Sequence, residues 1–256
     1  MSTDKLWALH EKITVTLAKK ITAEKARLEK RLSSNWYAVG SYLWSRDAGL
    51  YSGLSSSDEN GRDNPNNSRD FDYPSMSFDQ HAHVLDGVLD TDRTHQIKIG
   101  ALYEFKFGTS VGVNQYAESG TPLTRQVPII PGDNYPIRYL GRGSEGRTPF
   151  FTQTDLYAQH SLKVGGNRRL ILSINVLNLW DQRTAVNKVT TMRRTGAIPN
   201  APGYYQEAAF YAGQLNFDQL IQKAVASGAM TLNPQFLMVN SYQDPIAARF
   251  GVKFTF

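Results

Sequence analysis

Ala247-Ala248-Arg249-Phe250-Gly251-Val252-Lys253-Phe254-Thr255-Phe256 alternates apolar with polar or small side chains without a break. At the two-residue period of a strand, Phe250, Val252, Phe254 and Phe256 share one face, and Arg249, Gly251, Lys253 and Thr255 share the other. Chain ends of soluble domains are commonly polar and frayed. An aromatic end suits a transmembrane β-barrel strand, with aromatics against lipid and polar groups toward a lumen. Taken alone, the ten residues also fit a strand buried in a sandwich.

Composition narrows the field. Hydrophobic residues make up 41% of the 256, mean hydropathy is −0.41, and no apolar run approaches the ~18 residues of a helical span. The length suits one large all-β domain or two small ones. A barrel is not excluded, because lumen-facing polar residues dilute the hydropathy of every strand. The absence of cysteine excludes disulfide staples and thiolate metal sites, and leaves the redox compartment undetermined. The net charge of +5 comes from bases scattered among 23 acids, without a helical basic stripe, so it reads as solvated surface and not as a nucleic-acid interface. Met1-Ser2-Thr3-Asp4-Lys5-Leu6-Trp7 has no long apolar region and no small-residue cleavage site, so either the protein is not exported or the chain lacks the start of its parent.

Residues 1–22 stand apart as an ambiguous segment, a helix by the spacing of Leu6, Leu9, Ile13 and Leu17, or a frayed start. From 23 to 256 the pattern is all-β. A strand through Ala26, Leu28 and Leu32 turns at Ser33-Ser34-Asn35 into a second over Trp36 to Ser45. Ile97, Ile99, Ala101, Tyr103 and Phe105 mark a third, turned by Phe107-Gly108-Thr109 into Ser110 to Ser119. Thr154 to Val164 and Arg168 to Leu179 flank Gly165-Gly166-Asn167, which supplies the positive φ of a primed turn. Between these hairpins lie polar or proline-bearing connections, Arg46 to Asp92, Gly120 to about Gln153 and Trp180 to about Pro245, read as loops. Within the last, Asn216 caps a predicted helix over Phe217 to Ala226, closed by Gly228.

Short turns thus alternate with long connections. In an antiparallel up-and-down meander, every second connection lies at the same end, so the tight turns share one end and the long loops the other. Outer-membrane barrels have this asymmetry, with short periplasmic turns and long extracellular loops. The expected fold is therefore a partial transmembrane β-barrel of about seven strands.

Particular stretches carry a family likeness. Ser41-Tyr42-Leu43-Trp44-Ser45 after Trp36, Ser57-Asp58-Glu59-Asn60-Gly61-Arg62, Thr91-Asp92-Arg93-Thr94-His95, Ser119-Gly120-Thr121-Pro122-Leu123-Thr124, Asn175-Val176-Leu177-Asn178-Leu179-Trp180 and the closing alternation follow one another in order. Together they resemble the C-terminal part of Oar-like TonB-dependent outer-membrane receptors, over roughly Glu24 to Phe256. The resemblance implies a bacterial outer-membrane location and a barrel of about 22 strands. It also implies an N-terminal plug and energisation through TonB. Against that pattern the chain lacks a leader, plug, TonB box and earlier strands, so it is expected to be a C-terminal fragment whose plug and barrel partners lie elsewhere. The last strand, with Phe250, Val252, Phe254 and Phe256, would close the barrel and present the aromatic signal read by the assembly machinery.

Site chemistry is sparse. His81-Ala82-His83 offers two imidazoles without a third ligand, and Asp58, Asn60, Gly61 and Asp63 miss the spacing of a calcium loop, so no metal is expected. Asp90 and Asp92 have no neighbouring nucleophile, and the chain reads as neither an enzyme nor a cofactor protein. Charge is more informative. The first long connection is rich in aspartate, whereas Arg125, Arg138, Arg142, Arg147, Arg183, Lys188, Arg193 and Arg194 lie in the next two. Structurally, the arginines pair across the mouth or meet anionic lipid headgroups. Functionally, Arg138, Arg142, Arg147, Arg193 and Arg194 would select an anionic or polyhydroxylated ligand, with Tyr135, Tyr139, Tyr204 and Tyr205 as stacking faces. Sequence does not separate binding from packing arginines, and the structural reading is preferred. Three functions are carried forward: energised uptake by a TonB-dependent receptor, a non-transporting outer-membrane adhesion barrel, and a soluble secreted carbohydrate-binding sandwich.

Overall fold

A computed structural model describes residues 30–33, 35–49, 78–129, 135–166 and 168–256. The expectations for residues 1–22 and for Asp58, Asn60 and Asp63 lie outside these. In chain order, β1 (Lys30–Ser33) and β2 (Trp36–Trp44) form the first hairpin, and β3 (Ala48–Gly49) and β4 (Gly87–Val88) pair within the first long connection. β5 (His95–Glu104) and β6 (Thr109–Glu118) turn at Gly108, whose φ of 91° suits glycine. The second connection holds β7 (Val127–Ile129) and β8 (Tyr135–Ile137), and β9 (Phe151–Gly165) and β10 (Arg168–Leu177) make the third hairpin. The third connection carries β11 (Ala185–Lys188), β12 (Arg193–Gly196), α1 (Glu207–Tyr211), α2 (Phe217–Ala226), β13 (Met230–Leu232) and β14 (Val239–Tyr242) before β15 (Ala247–Thr255) returns.

Seven strands form one sheet in the order β1-β2-β5-β6-β9-β10-β15, every neighbour antiparallel. This is the expected up-and-down meander. The sheet is open, with β1 and β15 at its edges, as a partial barrel must be.

Register makes the two faces chemically distinct. Trp36, Tyr103, Val111, Ala158, Ile174 and Phe250 lie side by side across six strands, and the next row is Ala38, Ala101, Val113, Leu156, Val176 and Ala248. On the opposite face the intervening row is Tyr37, Leu102, Gly112, Tyr157, Asn175 and Arg249. Every Asp, Glu and Lys of these six strands, with Arg169 and Arg249, falls on that second face, and Arg168 stands in the irregularity beside a turn. A sheet packed as a soluble sandwich would cover its apolar face. Here Phe250 is 79% exposed and Val252 74%.

Aromatic rings rim the apolar face. At the turn end Trp36, Tyr103, Phe105 and Phe107 meet in succession in tilted and edge-on contacts, with centroids 4.7, 4.6 and 5.1 Å apart. At the other end Tyr42 shares a 2.9 Å hydrogen bond with His95 Nδ1, and Trp44 and Trp180 are exposed. The eight steps from Trp36 to Trp44 span about 26 Å along the strand. At the usual tilt of ~40° this is about 20 Å of height, close to the ~25 Å apolar band of outer-membrane barrels.

The buried apolar core is not on the sheet. Val127, Ile129, Ile137 and Tyr139 from the second connection pack with Ile198, Tyr205, Phe210, Phe217, Ile221, Ala224 and Met230 from the third, and Phe78 of the first lies against them. The connections read as loops are therefore corrected to a folded cap at one end of the sheet. α2 forms as predicted: Asn216 Oδ1 accepts the Gln219 amide at 3.1 Å, and Gly228 follows at a φ of 76°. Its buried Phe217, Ile221 and Ala224 recur at helical spacing and face the core.

Candidate functional site

The ligand residues predicted from sequence all lie in the cap, whose construction follows from how the connections interlock. The second and third are joined by bridges between Gln126 and Thr191 and between Ile129 and Ile198. Phe78 of the first meets Tyr211 edge-on at 5.8 Å, and the Gln80 amide donates to the Tyr139 carbonyl at 3.2 Å. Tyr139 stacks on Phe217 at 5.4 Å, and its hydroxyl donates to Asp218 Oδ1 at 3.1 Å. Burial pushes the Tyr139 phenol up, and Asp218 adds to this against the opposing pull of Arg125. Arg125 pairs with Glu145 and lies over the Phe236 ring at 5.2 Å, joining the second connection to the third again.

Two fastenings tie the cap to the sheet. At the first, the fully buried Asp92 accepts the Asp47 amide at 2.7 Å, the Thr94 hydroxyl at 3.0 Å and the Arg147 guanidinium. Arg147 Nη1 also donates to the carbonyls of Gly120 and Asp92. Burial alone would push the Asp92 carboxyl up, but the Asp47 amide, Arg147 and Thr94 hold it below its usual value. Gly120 fits because a Cβ there would lie 1.8 Å from the Thr148 carbonyl oxygen. At the second fastening, Asn178, at a φ of 49°, turns the chain off β10. Its side chain donates to the carbonyls of Gln182 and Asp244, at 2.9 and 2.8 Å, and its amide donates to Asp155 of β9 at 2.9 Å.

The predicted ligand residues divide by position. Arg138, Tyr139 and Tyr205 are buried inside the cap, and Arg147 belongs to the Asp92 fastening. Tyr135 is in β8, with its side chain outside the described residues. Tyr204 is half-buried, with its hydroxyl donating to Ser227 at 3.0 Å and Lys223 Nζ 4.7 Å from its ring centre. Arg142 and Arg193 are also half-buried, Arg193 donating to the Gly196 carbonyl at 3.2 Å, and Arg194 is exposed. Burial lowers the Arg193 guanidinium from its ordinary value. At His81-Ala82-His83 the amides of both histidines donate to Asp79, and the rings stand 6.0 Å apart. Among the described residues no three His, Cys, Asp or Glu side chains gather in a way that could hold a metal ion. Asp218 and Asn178 escaped notice in the sequence as contact residues. Asn178 follows an alternating strand directly, a position where asparagine commonly marks a left-handed exit.

No family model matches the chain, and no solved structure matches it. It is 29% identical over 240 residues to a TonB-dependent transporter of Myxococcus xanthus, Oar. That similarity covers 90% of this chain but 22% of the transporter, so the chain spans about a fifth of that relative's length, consistent with a C-terminal portion.

Proposed function

We propose that the chain forms the last strands and outer cap of a TonB-dependent outer-membrane receptor, serving energised uptake and not catalysis. The likeness to the Myxococcus transporter carries this reading. The uncharged, aromatic-rimmed face suits a bilayer, the polar face suits a lumen, and the cap stands where a receptor meets its ligand. In this reading Phe250, Val252 and Phe254 lie against outer-membrane lipid, and β15, with Phe256, closes the barrel and is recognised by the assembly machinery. Arg142, Arg193, Arg194 and Tyr204 would reach ligand, whereas Arg138, Arg147, Tyr139 and Tyr205 hold the surface in shape. TonB would act through a plug carried elsewhere in the parent protein. A barrel that adheres without transporting is the second reading, favoured by the cap's own core, which needs no gate to bind a partner.

The parent protein in its own outer membrane tests this. These 256 residues contain no cysteine, so once any cysteine elsewhere in the parent protein is replaced by serine, single introduced cysteines are clean reporters. An impermeant maleimide applied to intact cells should label Gln206→Cys in the cap and leave Lys106→Cys in a turn unlabelled. Equal labelling, or release of the protein by carbonate washing, overturns the membrane reading. Strains lacking the parent protein or TonB should leave the same solutes undepleted in the medium by mass spectrometry. Depletion identical to wild type in both selects adhesion.

A further inference from the structure

His81 and His83 stand apart from the contacts that hold the cap together. Both side chains are exposed, their ring centres are 6.0 Å apart, and the His81 ring has no polar partner among the described residues. The turn that presents them is nonetheless firmly built. Asp79 Oδ1 accepts both histidine amides, at 2.8 and 3.0 Å. The Asp79 amide donates to the His83 carbonyl at 2.9 Å, and the Ala82 amide donates to the Asp79 carbonyl at 3.1 Å. A bridge from Phe78 to Val84 closes the base of the turn. Gly213 packs against it so closely that a Cβ there would lie 2.8 Å from the His81 carbonyl oxygen.

Ala82, between the two histidines, sits at a φ of 59°. That left-handed conformation suits glycine or asparagine and strains alanine, and such strain collects at functional sites whose surroundings hold it in place. Here the reversal leaves the two flanking rings side by side. Asp79 Oδ2 stands 3.5 Å from His83 Nδ1. A carboxylate beside one ring nitrogen favours a proton there and leaves the Nε2 lone pair for a metal, which is how metal-binding histidines are commonly oriented.

We propose that His81 and His83 form a two-imidazole site for a borderline divalent cation, Cu2+ or Zn2+, with water in the remaining coordination positions. With metal–nitrogen bonds of about 2.0–2.1 Å, two imidazoles on one ion have ring centres about 5–6 Å apart, so the observed separation needs little movement. Two protein ligands fall short of a closed structural site, in keeping with the lack of a third such side chain among the described residues. Binding is therefore open and exchangeable. Mg2+ and Ca2+ fit poorly because they take oxygen ligands, whereas Cu2+ stands highest among the first-row divalent ions for nitrogen donors. The site is built by the cap's own turn and stands whether or not the sheet belongs to a barrel.

The test uses the full-length protein in nanodiscs, stripped of metal by a chelator, with Cu2+ alone as the probe. Ascorbate in air makes bound copper oxidise the imidazoles that hold it, and mass spectrometry locates the product residue by residue. As Cu2+ is raised, His81 and His83 should oxidise together and ahead of His95 and His160. Zn2+, but not Mg2+, should suppress this oxidation in the unmodified protein. His81→Gln keeps the turn, whose bonds use the amide of residue 81 and not its ring. In that variant half-maximal oxidation of His83 should require at least tenfold more copper. Oxidation of His83 at unchanged copper in the variant overturns the proposal. So does oxidation of the pair no earlier than His95 and His160, or competition by Zn2+ no stronger than by Mg2+.

Discussion

Replacing Asp92 by alanine should loosen the root of the cap while leaving its core intact. The carboxylate is fully buried and receives three hydrogen bonds, from Asp47, Thr94 and Arg147. Breaking a buried ion pair commonly costs about 3–5 kcal/mol. Arg147 is one-third exposed and keeps its bond to Gly120, so the lower end applies, about 3 kcal/mol. That corresponds to roughly a hundredfold more local opening. Hydrogen exchange with mass spectrometry on the full-length protein in nanodiscs should show it over residues 45–49, 85–92 and 119–124. Residues 217–226 should keep their protection. The effect should also be pH-dependent in the unmodified protein. Asp92 titrates below its unfolded value of about 3.9, so its contribution is complete above that pH and is lost as pH falls toward the depressed folded value. Corrected for intrinsic exchange, the unmodified protein should approach the variant only below about pH 4. A change under threefold, or equal loss of protection throughout the cap, refutes the role of Asp92 as a local fastening.

Three further outcomes follow from the same structure. Phe217→Ala removes a fully buried ring stacked on Tyr139 and should destabilise the cap by about 3–5 kcal/mol, seen as proteolysis within 182–246 while the sheet keeps its heat-modifiable migration. Val252→Arg on the apolar face should cost about 2–4 kcal/mol of membrane stability, whereas Thr255→Glu on the polar face, opposite Arg169, should cost little; urea titration of folding into vesicles compares them. Gly196→Ala puts a Cβ 2.0 Å from the Ala229 carbonyl oxygen at a φ of 75°, so β12 should part from β13, with a loss of at least about 1–3 kcal/mol in cap melting followed by near-ultraviolet circular dichroism.

The wall was legible because strands such as β5 and β15 keep their alternation for nine residues or more, and one slip would exchange their faces. α2 was legible through Asn216 and Gly228, local signals that need no distant partner. The cap was not, because its β7–β8 ribbon spans three residues a side with Pro128 opposite Pro136, a text that reads as loop. Its decisive contacts, such as Ile129 with Ile198, join segments far apart in sequence. Arg138 and Tyr205 illustrate the limit for the site: in sequence they resemble Arg194 and Tyr204, and only packing separates buried side chains from accessible ones.

The cap core draws on residues before and after the β9–β10 hairpin. Ile129 therefore meets Ile198 only when β9 has aligned on β6 and β10 on β9. A hairpin inserted one residue out of step would present the two halves of the cap displaced and rotated, and their apolar surfaces would stay wet. Completion of the cap is thus a quality check on the wall, and a misaligned sheet would leave apolar cap surface open to proteases before it was ever asked to bind.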